Sequence, residues 1–184
     1  MSRTTLLAAA AALALVHAPA SAQEEPALVT DLLRDIAQVE SKLVGLAEAM
    51  PESAYGWRPG EGVRSVAELY KHVAADNWLI AGIPGPKPPA STGIDPADYA
   101  TTGAYEAREL SKAEIVAELK ASFDFFDAAV RDTDAEELAA TLDLFGSSAT
   151  RQRLWILAVT HLHEHLGQGI AYARVNGVVP PWSR

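Results

Sequence analysis

Thr160-His161-Leu162-His163-Glu164-His165-Leu166-Gly167-Gln168 gathers three of the chain's five histidines near the C-terminal end. Which of them face one another depends on whether the stretch is strand or helix. A strand would put His161, His163 and His165 on one side. A helix, turning about 100° per residue, leaves His161 and His165 roughly 40° apart and swings His163 about 160° away from both. From Ala149 to Val175 there is no proline, and only Gly167 and Gly169 interrupt a run rich in Leu, Ala, Arg and Gln, which favours helix. Leu154, Leu157/Ala158, His161, His165, Gln168 and Tyr172 then form one stripe, with apolar groups bracketing the imidazoles. The stretch reads as helix, and the facing pair is His161 and His165.

Working outward, the same 3.6-residue period recurs in three other segments. Leu28, Leu32, Ile36, Val39, Leu43 and Leu46 mark an amphipathic helix that ends at Met50-Pro51. Ser65-Val66-Ala67-Glu68 has the form of a capping box, so a second helix starts there and runs to about Ala81, placing Leu69, His72, Asp76 and Leu79 on one face. Ser111-Lys112-Ala113-Glu114 repeats the box ahead of Ile115, Leu119, Ser122/Phe123, Phe126 and Val130. Thr133-Asp134-Ala135-Glu136 opens a short extra helix before a break at Gly146-Ser147-Ser148, and Asn176-Gly177 closes the histidine helix. Between the second and third helices, Gly82 to Thr102 makes a long connection, of the kind that often covers a site. No strand pattern of any length is apparent. The expectation is an all-α fold, a four-helix bundle with a long connection.

The N-terminus carries a different signal. Met1-Ser2-Arg3, an apolar run from Leu6 to Val16 and Ala20-Ser21-Ala22 form the three parts of a secretory signal peptide, residues 1–22. Residues 23–184 would be the single mature domain, exported to the periplasm or secreted. It spans no membrane after cleavage, because no second apolar stretch is long enough. The chain has no cysteine, which excludes disulfides, thiolate ligands and a cysteine nucleophile. A formal net charge of -9 with no basic cluster argues against nucleic acid as a partner.

Histidines at i and i+4 on a helix put two imidazoles within reach of one divalent ion, and a third ligand must come from elsewhere. His72 lies mid-helix on an apolar face, as a ligand pointing into a bundle should. Three neutral nitrogens leave an open coordination position, the arrangement of catalytic sites. Spacing alone leaves two readings open: the pair binds metal, or it is a pair of core or surface histidines satisfied by neighbours. Asp76, one turn after His72, either orients an imidazole or pairs with a lysine. Glu164 is either a base near His161 or a solvated carboxylate, and His163 points to solvent. Two other metal motifs do not fit: the residue four after His163 is Gly167 rather than the histidine of H-E-x-x-H, and too little chain follows His165 for a metallo-β-lactamase fold.

With these residues in hand, the chain resembles the DinB-like (damage-inducible) superfamily of helical-bundle metalloproteins. The matching elements are Met50-Pro51-Glu52, Tyr55-Gly56-Trp57-Arg58-Pro59, Val63-Arg64-Ser65, Leu69-Tyr70-Lys71-His72, His161-x-x-x-His165-x-Gly167-Gln168 and Asn176-Gly177-Val178-Val179-Pro180-Pro181-Trp182. The resemblance implies a four-helix bundle holding a divalent metal ion, nickel or zinc, on His72, His161 and His165. It also implies a homodimer, a habit common among such proteins. Members commonly read H-x-x-H-H-R-G-Q. Here Glu164 replaces the second histidine and Leu166 the arginine, which leaves the metal pair intact but removes a cation for an anionic substrate. Some relatives are thiol-dependent transferases or isomerases. The function expected is a metal-dependent hydrolase or thiol-type transferase acting on a small-molecule substrate, with a non-catalytic metal- or ligand-binding module as the alternative. Glu164, Gln168, Tyr172, Tyr55 and Trp57 are the residues expected to line its pocket.

Overall fold

A computed structural model of the chain describes residues 26–183; the signal peptide expected over residues 1–22 lies outside them. The first helix, α1, spans Ala27–Ala49 and buries Val29, Leu32, Ile36, Val39, Leu43 and Leu46, the stripe its periodicity requires. It stops where Met50 turns extended ahead of Pro51, whose ring disfavours helical backbone in the residue before it.

Helix α2, Val66–Gly82, starts at a complete capping box: Ser65 Oγ accepts from the Glu68 N–H, and Glu68 Oε2 accepts from the Ser65 N–H at 2.7 Å. Nearly every residue of α2 is buried. It is therefore the central helix rather than an amphipathic surface one, and even Lys71 delivers its ammonium to the Arg108 carbonyl, 2.7 Å away. The connection that follows is more structured than expected, since it contains a short helix, α3 (Ala100–Glu106), packed on α2. Helix α4, Lys112–Arg131, has the second capping box, from Ser111 and Glu114. Helix α5, Ala135–Ala139, has Asp134 as its cap.

The expectation of a purely helical chain needs one correction. Thr141–Leu144 (β1) and Ser147–Thr150 (β2) pair antiparallel in a two-stranded hairpin whose loop is Phe145-Gly146. Four-residue strands are too short to show a period, and Ser147-Ser148-Ala149-Thr150 has little apolar content to alternate. The hairpin leads directly into α6, Arg151–Val175, capped by Thr150. Gly177, at φ 73°, lets the Val178 N–H return to the Ala173 carbonyl at 2.8 Å and close that helix.

The fold class is otherwise as expected. The four long helices pack α1 on α4, α4 on α2, α2 on α6 and α6 on α1. Chain neighbours α1 and α2 therefore face each other across the diagonal, as do α4 and α6, and the connections between them must cross an end of the bundle. This arrangement makes α2 and α6 adjacent, which brings together histidines distant in sequence. Among the described residues no helix is long and apolar enough to cross a membrane.

Candidate metal centre

His72 projects from the middle of α2 and is only 4% exposed. His161 and His165 come from one face of α6, at the edge of its buried stripe, while His163 is exposed as the helical geometry requires. Ring centroids lie 4.6 Å apart for His72 and His165, 5.3 Å for His72 and His161, and 4.4 Å for His161 and His165. One nitrogen from each ring falls within 4.8 Å of the others. The three histidines expected to converge do so.

The outward-facing nitrogens of His72 and His165 are held in a defined way. Glu106 Oε1 lies 2.7 Å from His72 Nδ1; an ionised carboxylate only accepts, so Nδ1 carries a proton, and in the neutral ring Nε2 is the bare nitrogen. For His165 the tautomer is set at a distance. Tyr172 donates its hydroxyl to the Arg64 backbone carbonyl at 2.9 Å, and Gln168 Nε2 donates to that hydroxyl at 2.7 Å. The Gln168 amide must then present its oxygen to His165 Nδ1, 3.0 Å away, which again places the proton on Nδ1 and the lone pair on Nε2. The stripe His165, Gln168, Tyr172 is thus one relay of hydrogen bonds along α6.

These inner nitrogens meet the third imidazole and a carboxylate. His161 Nε2 lies 2.9 Å from the bare His165 Nε2, and Asp76 Oδ2 is 3.2 Å from His161 Nε2 and 3.6 Å from His72 Nε2. Burial, together with neighbouring His165, His72 and Arg64, pulls the His161 pKa down to about 3. Burial also lowers that of His165, against the Gln168 hydrogen bond that raises it. Both rings are therefore held neutral, the form that ligates metal. A cation at about 2.0–2.1 Å from imidazole nitrogens needs them roughly 3–3.4 Å apart; His161 and His165 Nε2 already lie 2.9 Å apart, and His72 offers a nitrogen within 4.8 Å of them. The residues fit a divalent ion.

Two carboxylates flank the cluster in opposite electrostatic states. Partial burial works to raise Glu106, but hydrogen bonds from His72 and Arg64 outweigh it and hold the group at about 2. Arg64 grips this carboxylate with Nε at 2.9 Å and a terminal nitrogen at 3.3 Å. Asp76 is 6% exposed, and burial raises it to about 6 although His72 pulls the other way. Its Oδ1 has no hydrogen-bond partner among the described residues.

Several expected pocket residues sit elsewhere. Tyr55 is buried and donates to the Ala47 carbonyl at 2.7 Å, a structural role. Trp57 stacks edge-on against Tyr172, with centroids 5.4 Å apart, and so reaches the site only through that ring. Glu164 is exposed, and Gln168 and Tyr172 support His165 rather than line a pocket. The cavity that opens beside His161 and Asp76 is walled by Leu79, Ile80, Leu157, Tyr99 and Phe145. Glu106, Tyr99 and Phe145 were not anticipated. Each lies in the connection or the hairpin, and only the length of that connection hinted that it covers a site.

A helical bundle with three inward-facing imidazole nitrogens, two of them with polar partners on their outer edges, defines a class of histidine-site helical proteins. The profile of the DinB superfamily matches residues 35–168, and the chain belongs to that superfamily. No curated protein matches it. Among solved structures it is similar to a DinB-like protein from Bacillus subtilis (21% identity, covering 81% of this chain and 93% of that one, TM-score 0.63). It is also similar to a DinB-like protein from Bacillus cereus (15%, covering 83% and 95%, TM-score 0.67). A third, YfiT from Bacillus subtilis, is described as a probable metal-dependent hydrolase with an unusual four-helix bundle topology (17%, covering 89% and 95%, TM-score 0.64). At these identities the likeness speaks for the fold.

Proposed function

We propose that the protein is an exported hydrolase that holds zinc or nickel on His72, His161 and His165 and cleaves a small ester or amide. The observation that carries this reading is the tautomer control at the cluster: Glu106 and the Tyr172–Gln168 relay hold a proton on Nδ1 of His72 and His165, so that in the neutral rings Nε2 is the free nitrogen and faces inward. Core histidines satisfied by their neighbours would not need two independent devices with that one outcome. An ion on three imidazoles with a position left open supplies a Lewis acid and an acidified water.

The protein's own groups provide the rest. Asp76 Oδ1, buried, unpartnered and lining the cavity, is placed to accept a proton from water as its oxygen bonds to the substrate carbonyl carbon. The same proton then goes to the departing alcohol or amine as the C–O or C–N bond breaks. Arg64 and Glu106 keep His72 in register throughout. The description of YfiT as a probable metal-dependent hydrolase agrees with this reading. The signal-peptide pattern of residues 1–22 supports export, and the mass of the mature N-terminus tests it.

The thiol-transferase alternative is less favoured, because Leu166, where relatives carry arginine, is buried and offers no cation. Elemental analysis of the purified protein, followed by assays of metal-loaded and chelator-treated samples on ester, amide and thiol-addition panels, tests the proposal. Ester or amide turnover that is lost in His165→Ala and kept in His163→Ala is expected. Tight metal retention without turnover on any panel would favour a non-catalytic binding module.

A further inference from the structure

We propose that the substrate presents, next to its reacting carbonyl, an uncharged hydrocarbon or aromatic group that seats between α2, α6 and the aromatic pair Tyr99 and Phe145. This deepens the hydrolase reading and rests on it. Asp76, Leu79 and Ile80 stand at i, i+3 and i+4 on α2, and His161 and Leu157 stand one turn apart on α6. Both helices thus carry apolar side chains one turn along from the site, bordering the same cavity of about 460 Å³.

The lining decides what charge the cavity accepts. It contains no lysine or arginine, and the nearby Arg64 guanidinium is already held by both oxygens of Glu106. The one carboxyl group, Asp76, offers an anion no donor. A cation or zwitterion would surrender its hydration to apolar walls without a full set of polar partners. A neutral apolar group meets none of these costs and gains from leaving water.

The second observation comes from the backbone. Both residues of the hairpin loop have positive φ, Phe145 at 53° and Gly146 at 82°, the pattern of a type I′ turn. Asn, Asp or Gly suits the first of these positions; a bulky side chain there is strained. The chain nevertheless keeps a phenyl ring at that point. The ring sits edge-on to Tyr99, with centroids 5.9 Å apart, at the cavity wall. Phe145 and Tyr99 are 55% and 54% exposed, so neither is retained for the core. A strained aromatic residue that contributes little to packing but borders the site is explained by contact with a ligand.

The test uses acetohydroxamate, benzohydroxamate and the anionic monohydroxamate of succinate, each titrated calorimetrically into the zinc-loaded protein. Benzohydroxamate should bind about tenfold tighter than acetohydroxamate or better, and the succinate compound more weakly than either. Phe145→Asn, which suits the turn, should bring the benzo-to-aceto ratio close to one. Equal binding of the two neutral compounds, tighter binding of the anionic one, or an unchanged ratio in Phe145→Asn would overturn the proposal. Nile red fluorescence in metal-free protein separates the two readings. If no hydroxamate binds but the dye does, and Phe145→Asn reduces its signal, the metal-hydrolase reading fails and the apolar pocket stands. If neither binds, both fail.

Discussion

Glu106, at the end of the short helix α3, accepts the Nδ1 proton of His72 at 2.7 Å, while Arg64 clasps the same carboxylate from the other side. A residue of the long connection thereby fixes the tautomer of a histidine on the central helix. Outer partners of this kind raise ligand basicity and hold the ring in place. Glu106→Ala should therefore weaken metal binding about 10- to 100-fold without unfolding the bundle, as measured by competition with a chromophoric chelator.

The histidines should separate cleanly by face. His72→Ala and His165→Ala are each expected to abolish stoichiometric metal in elemental analysis, and His163→Ala to retain it. The first two leave only two imidazoles, whereas His163 is exposed on the far side of α6. Metal lost equally in all three variants would show that the cluster is not the binding site.

Relief of the hairpin turn predicts a gain. Phe145→Asn replaces a bulky residue at φ 53° with one that tolerates the left-handed region. Stability should rise by about 1 kcal/mol, seen as a higher urea midpoint with an unchanged slope. A variant less stable than wild type would mean that the ring contributes packing beyond its edge contact with Tyr99.

The end of α2 predicts a loss. A Cβ on Gly82 would clash with Pro96 Cγ and lie 3.1 Å from its Cβ, and a proline ring has little freedom to retreat. Gly82→Ala should cost roughly 1–3 kcal/mol by overpacking. It should also shift the segment that carries Tyr99, so Nile red binding should fall along with the thermal midpoint.

Acid should weaken the start of α2 in a way that one substitution reports. Hydrogen bonds from the Ser65 N–H, joined by Arg58 and the Ser65 side chain, hold Glu68 below its ordinary 4.5 despite some desolvation. A carboxylate lowered in the folded state contributes fully above that value, and the contribution disappears as the pH falls below it. Glu68→Gln keeps a capping group but cannot titrate. Between pH 5 and 2 the wild type should lose more stability than this variant. Parallel pH profiles in denaturant titrations would contradict the assignment.

How much of this was legible beforehand follows from the range of each interaction. The helix starts at Ser65 and Ser111, the stop at Asn176-Gly177 and the facing of His161 and His165 all arise from contacts within a turn or two of chain. Periodicity and capping residues therefore determine them. The spacing of His161 and His165 likewise placed His163 outside and made a metal pair chemically reasonable.

The site as a whole needed the tertiary structure. Whether His72 meets the α6 pair depends on α2 and α6 being neighbours rather than diagonal, which is set by how whole helix faces pack. Glu106, Tyr99 and Phe145 arrive from segments with no strong period of their own, and the positive φ of Phe145 leaves no mark in a loop whose first residue is not Asn, Asp or Gly. Local sequence fixes which side of a helix a residue occupies, because that geometry repeats every 3.6 residues. What stands opposite that side is decided by burial summed over the entire chain, and no single stretch encodes it.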